Sequence, residues 1–158
     1  MRVEYINPFV ESAHNVLAEV LQCEVTRGEL YLKSNAAPVL GVAAIIGLAG
    51  DVEGRVLLDM SRATAIDIAN AMLKSMDMEP ITDLNDMGRA TITELANMVT
   101  GQAVTKLENL GFKFDLTPPA LVTGDNMEIS NQNVEALIVP IQVSQGKIEI
   151  NVAIRERG

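Results

Sequence analysis

The 158-residue chain has one cysteine, Cys23, one histidine, His14, and no tryptophan. A lone cysteine cannot close an internal disulfide and a lone histidine cannot anchor a metal cluster, so neither a disulfide scaffold nor a bound metal is expected. Positive charge is also scarce. The 12 Lys+Arg against 21 Asp+Glu leave a formal charge of −9. Binding to nucleic acid or to an anionic membrane surface draws on a basic patch, and none is present. The longest nearly apolar run, Val39 to Gly50, spans 12 residues and is broken by Gly41 and Gly47, where a spanning helix needs about 20. Met1 to Pro8 lacks the apolar stretch and cleavage site of a signal peptide. These absences predict a cytoplasmic, reduced, metal-free protein with no nucleic-acid partner and no membrane insertion. At 48% hydrophobic and 21% charged, the chain is apolar enough for a proper core, and a single domain over residues 1–158 is expected.

Periodicity supplies the elements. Asn7-Pro8 reads as a helix start, a capping side chain followed by proline in the first turn. Phe9, Val10, Ala13, Val16, Leu17 and Val20 then give one amphipathic face ending near Gln22. From Thr26, alternation of Leu30 and Leu32 with Tyr31 and Lys33 predicts a strand up to Ser34-Asn35. Strands over Val39 to Leu48 and Arg55 to Met60 flank a turn with Gly50, Asp51 and Gly54. Ser61 is placed to cap a second helix. A third starts near Asp83 or Asp86 and runs to about Leu110, with Gly111 as its stop. After Pro118-Pro119 the chain returns to strands: Leu137, Val139, Ile141 and Val143, then Ile148, Ile150, Val152 and Ile154, alternate with polar or small residues. Pro140 has no N–H to give a ladder, so its strand is expected at an edge or locally bulged. The order helix, extended chain, strand pair occurs twice, which suggests an internal pseudo-duplication.

The chemistry-bearing segment is Thr91-Ile92-Thr93-Glu94-Leu95-Ala96-Asn97-Met98-Val99-Thr100-Gly101. On a helix, Ile92, Leu95, Ala96, Val99, Ala103, Leu107 and Leu110 fill a sector of roughly 120°, the expected buried face. Taking Glu94 as zero, Asn97 lies about 60° away, Ala90 and Met98 about 40° and Gly101 about 20°, all opposite that sector. Gly101 costs the helix roughly 1 kcal/mol relative to alanine, an uncompensated loss that points to clearance for another chain. Such a polar pair is usually a solvated face. These groups supply no covalent mechanism, since no activated Ser, Cys or His stands near. A carboxamide can hold a water in line with a phosphoryl group, with the carboxylate as an anchor.

Other candidates are weaker. His14 has no acid or nucleophile spaced to work with it and reads as a partly buried or partner-facing residue. Cys23 reads as a small apolar residue. Met72, Met76, Met78, Met87 and Met98 read mostly as core or edge-of-core fillers. The glycines lack the lysine and Ser/Thr spacing of a phosphate loop.

Glu94-Leu95-Ala96-Asn97, followed by Met98 to Ala103 and then Pro118-Pro119, resembles the signature of the CheC/CheX/FliY phosphatases of bacterial chemotaxis. Asn7-Pro8-Phe9-Val10-Glu11 resembles the opening of family members of the one-site kind. The resemblance covers essentially the whole chain. It implies an α/β (more narrowly α+β) domain of CheC-like fold, an antiparallel sheet with two long helices packed on one face. It implies hydrolysis of the aspartyl-phosphate of a CheY-type response regulator, Glu94 docking onto the regulator's lysine and Asn97 placing the attacking water. Met98, Gly101 and Thr105 then fall in the partner-binding surface. The chain binds no cofactor on this reading, because Mg2+ and the phosphoaspartate belong to the partner, and a homodimer formed through the sheets is expected. Glu11 and Asn15, four apart rather than three, depart from the motif, so one site is expected. Ala90 stands where the family often has Asp or Ser. A non-catalytic module that binds a receiver or flagellar switch component is the alternative, and a small-molecule sensor has only the apolar stripe in its favour.

Overall fold

A computed structural model describes residues 3–33, 37–125, 128–129 and 135–156. The elements in chain order are α1 (Val3–Leu21), β1 (Thr26–Arg27), β2 (Tyr31–Lys33), β3 (Ala37–Pro38), β4 (Val42–Gly50) and β5 (Val52–Met60), followed by α2 (Arg62–Ser75) and α3 (Asp86–Asn109). The chain continues through β6 (Phe114–Leu116), β7 (Ala120–Thr123), β8 (Glu128–Ile129), β9 (Ala136–Val143) and β10 (Gly146–Glu156). Eight strands form one antiparallel sheet in the order β1-β9-β10-β5-β4-β6, with β2 also against β9 and β7 also against β4. β3 and β8 make a separate small pair.

The sheet is symmetric about its central pair, β10 and β5, which run in register from Ile148↔Met60 to Glu156↔Val52. The half built from α1, β4 and β5 sends its short strands β1 and β2 across to β9. The half built from α3, β9 and β10 sends β6 and β7 across to β4. The expected duplication is thus an exchange of outer strands. The helices repeat it: Tyr5, Ile6, Phe9, Val10, Ala13, Leu17 and Leu21 on α1 are buried at the same spacing as Thr91, Ile92, Leu95, Ala96, Val99, Ala103 and Leu107 on α3.

All three helices cover one sheet face, where Val56, Leu58, Met60, Ile148, Ile150 and Val152 meet Phe9, Leu17, Ile68, Ile92 and Leu95 in a continuous core. α1 and α3 are antiparallel, because Glu11 meets Lys106 at 3.1 Å while Tyr5 meets Phe112 edge-on with ring centroids 5.1 Å apart. Gly54, at φ +141°, lets β10 approach closely, since a Cβ there would collide with the Ala153 carbonyl.

Several boundaries differ from the sequence reading. α1 begins at Val3, not at Asn7, and holds Pro8 inside it. Burial of Tyr5 and Ile6 extends the apolar stripe upstream and offsets the one backbone bond that proline forgoes. The β4–β5 turn is reduced to Asp51, so β4 starts at Val42 and ends at Gly50 while β5 starts at Val52. Asp51 is pinned on both sides by Lys113: its N–H donates to the Lys113 carbonyl, and its Oδ2 accepts from the Lys113 N–H, both at 2.8 Å. The strand expected from Thr26 is two pieces, β1 and β2, and its expected end at Ser34-Asn35 lies outside the described residues. Pro140 lies where those two pieces leave a gap, its carbonyl accepting from Gly28 N–H at 2.9 Å, so its missing donor faces the break in the outer strand.

Candidate active site

α3 is fixed at both ends. Its first turn is capped by Asn85, whose Oδ1 accepts from Gly88 N–H at 2.9 Å. Gly88 itself is clasped by Ile81 and Leu84, against which any Cβ would press. Arg89 donates to the Leu121 carbonyl at 3.3 Å, tying α3 to β7. Lys106 reaches Glu11 on α1. The buried hydroxyls of Thr91 and Thr100 bond back to the Met87 and Ala96 carbonyls, which is how polar residues enter the face that packs on the core.

Outward, the helix presents a ridge. Glu94, Asn97, Ala90, Gly101 and Thr105 are all exposed, as the helical geometry requires. Glu94 and Asn97 stand one turn apart, about 4.5 Å along the axis at 1.5 Å per residue. Among the described residues, no hydrogen bond or ion pair ties down either side chain. Met98 is half-buried, its inner side packed against the core. A Cβ on Gly101 would meet nothing within 4 Å, so no intramolecular packing demands glycine there. Thr105 donates to the Gly101 carbonyl at 3.0 Å. Leu110, expected in the buried sector, is instead 59% exposed. It caps the helix, one turn beyond the last core contact at Leu107, where Gly111 turns the chain at φ +97°.

The other candidates fall elsewhere. Glu11, His14 and Asn15 line an open cleft of about 340 Å³ with Arg27. In the burial register of the two helices, the residues of α1 that match Glu94, Asn97 and Gly101 are Pro8, Glu11 and Asn15, so the first half offers no second Glu-x-x-Asn surface. Cys23 is half-buried against the core. The methionines divide. Met72 is buried and Met98 borders the core, but Met76, Met78 and Met87, read as fillers, are 54%, 40% and 45% exposed. Met76 follows the end of α2, Met78 lies in the linker to α3, and Met87 stands on the outward ridge. The azimuth of Met87, about 20° from Glu94, was open to sequence analysis and was missed.

Among the described residues no three His, Cys, Asp or Glu are grouped to hold a metal ion, and no helix is long and apolar enough to cross a membrane. At its middle the ridge offers the Glu94 carboxylate, the Asn97 carboxamide that both donates and accepts, and a cleared track beside them at Gly101. That set can grip a cation and position a water.

The comparisons place this helix-backed antiparallel sheet and its ridge among the CheC-like proteins. A CheC-like superfamily protein from Shewanella sp. PV-4 superposes with a TM-score of 0.86 at 29% identity, over 98% of this chain and 99% of that one. The family described as Chemotaxis phosphatase CheX matches residues 42–142, Glu94 and Asn97 included, and the chain belongs to that family. It is 28% identical, over 100% of both chains, to the CheY-P phosphatase CheX of Thermotoga maritima. It is also 44% identical to a chain of the CheX-CheY-BeF3-Mg+2 complex from Borrelia burgdorferi, with a TM-score of 0.83 and coverage of 98% of this chain and 100% of that one.

Proposed function

We propose that this chain hydrolyses the aspartyl-phosphate of a CheY-type response regulator, with Asn97 orienting the attacking water and Glu94 docking onto the regulator. The observation that carries the reading is the placement of both side chains, free of partners among the described residues, on one exposed ridge of a helix anchored at both ends. Phosphoryl transfer to water demands position more than covalent chemistry, because the charge is spread over equatorial oxygens and the nucleophile must lie in line. The Asn97 carboxamide accepts a hydrogen bond from the water and holds its oxygen in line with phosphorus, so that the new P–O bond forms as the receiver's aspartate carboxylate leaves. The Glu94 carboxylate pairs with a lysine ammonium of the receiver, fixing the helix against the phosphorylated loop. Mg2+ and the phosphoaspartate are supplied by the receiver, so this chain contributes geometry and water alone. Met98, Gly101 and Thr105 continue the contact surface, with Gly101 giving clearance. The protein acts in the cytoplasm, where its receiver resides, and forms a homodimer through its sheet, for which the exposed Leu30, Tyr31 and Leu32 at the outer edge supply apolar surface.

A receiver-binding module without turnover is the competing reading, favoured by Ala90, which puts a methyl group where the family often carries Asp or Ser. The decay of ³²P-labelled phospho-receiver with Mg2+ separates the two. Accelerated decay, lost in Asn97→Ala, supports the phosphatase, whereas binding with an unchanged half-life supports the module.

A further inference from the structure

Met87 is the feature of the ridge that neither the core nor the reaction uses. It is 45% exposed, and it sits seven positions before Glu94, which on an α-helix is about 10.5 Å along the axis and about 20° in azimuth. Its platform is rigid. The Asn85 cap, the clasp of Gly88 by Ile81 and Leu84, and the Asp83 carboxylate held by Arg62 at 2.9 Å and by Leu84 N–H at 2.8 Å all converge on this turn of α3. The ridge is polarised as a result. Before Glu94 it offers Met87 and the methyl group of Ala90; after Asn97 it offers Gly101, Thr105 and the exposed carboxylate of Glu108.

We infer that Met87 is a specificity-determining contact for the docked receiver, packing on apolar receiver surface about 15 Å along the helix axis from Asn97 and the phosphorylated aspartate it serves, and setting the direction in which α3 lies across the receiver; this rests on the phosphatase reading above. The occupant is the receiver because the Met87 surface is continuous with Glu94 and Asn97 on one straight helix face, so a partner engaging that pair along the ridge covers Met87 too. Methionine suits the role, being unbranched and able to adapt its thioether chain to the surface it meets. Losing this contact weakens association without displacing the water held by Asn97, so the effect falls on KM and leaves kcat alone.

The test is steady-state dephosphorylation of a phosphorylated CheY-type receiver by the full chain and by Met87→Ala, Met87→Leu and Leu110→Ala, each first checked for an unchanged urea midpoint. Leu110 is the control: it is 59% exposed but about 24 Å beyond Glu94 along the helix axis. Met87→Ala is expected to raise KM about tenfold, the factor for partial burial of one large apolar side chain, with kcat unchanged, while Met87→Leu stays near wild type and Leu110→Ala matches it. An unchanged KM in Met87→Ala, or an equal rise in Leu110→Ala, overturns the inference while leaving the phosphatase intact. A wild-type chain that fails to accelerate decay overturns the phosphatase reading itself and this inference with it.

Discussion

Asn70 on α2 holds both backbone polar groups of Ile81 in the linker to α3: its Oδ1 accepts from the Ile81 N–H at 2.7 Å and its Nδ2 donates to the Ile81 carbonyl at 3.0 Å. One carboxamide thus mimics a strand partner for a single residue. Ile81 in turn closes on Gly88, in the first turn of the helix that carries Glu94 and Asn97.

Removing that carboxamide leaves a part-buried donor and acceptor unpaired. Asn70→Ala is expected to lower stability by about 2 kcal/mol, read as a fall in the urea midpoint at constant slope. Asn70→Asp retains the acceptor for the Ile81 N–H and should cost less than the alanine. Equal losses would show that the bond from the Ile81 N–H, the one the aspartate retains, contributes nothing.

Gly101 separates stability from docking. With open space around its Cβ position and helical backbone, Gly101→Ala should stabilise the fold by about 1 kcal/mol. Gly101→Trp should leave the fold intact and suppress phospho-receiver decay by blocking approach. Thermal melts and the decay assay on the same two variants check both halves, and a tryptophan variant of full activity would remove the clearance argument.

Asp59, fully buried on the face of the sheet away from the helices, gives the molecule a pH signature. Burial pushes its carboxyl up to about 6 from 3.8, against the pull of the Leu40 N–H at 3.0 Å and with Glu149 opposite it adding to the rise. A carboxyl raised in the folded state holds its proton more tightly there than in the unfolded chain. Its contribution is therefore most favourable below about pH 4, declines as pH rises to about 6 and is level above that, a swing on the order of 3 kcal/mol. Asp59→Asn keeps an oxygen for the Leu40 N–H and abolishes the titration. Unfolding free energies at pH 4, 5, 6 and 7 should show wild type losing ground to the variant across that range; parallel profiles would contradict the assignment.

The sequence revealed most where one residue or one period decided the outcome. Ser61 caps α2 and accepts from Thr64 N–H, and the alternation from Ile148 to Ile154 became the central strand β10 with every second side chain in the core. Glu94, Asn97 and Gly101 came out on the exposed ridge because a helix of known phase leaves them no other place. What escaped depended on distant partners. The shortness of the β4–β5 turn comes from Lys113, far along the chain, and the early start of α1 from contacts that bury Tyr5 and Ile6. Met87 is exposed because its azimuth lies beside that of Glu94, and phase outweighs the hydrophobicity that argues for the core.

The most direct test of the account is the half-life of ³²P-labelled CheY-type receiver in Mg2+ with catalytic amounts of this chain or of its Asn97→Ala variant. Asn97 is exposed and unpaired among the described residues, so the variant should keep the wild-type urea midpoint. The account predicts rapid decay with wild type and the receiver's own slow decay with the variant, a loss of about 100-fold or more for removal of the group that places the water. Equal acceleration by both proteins would contradict the assignment of Asn97.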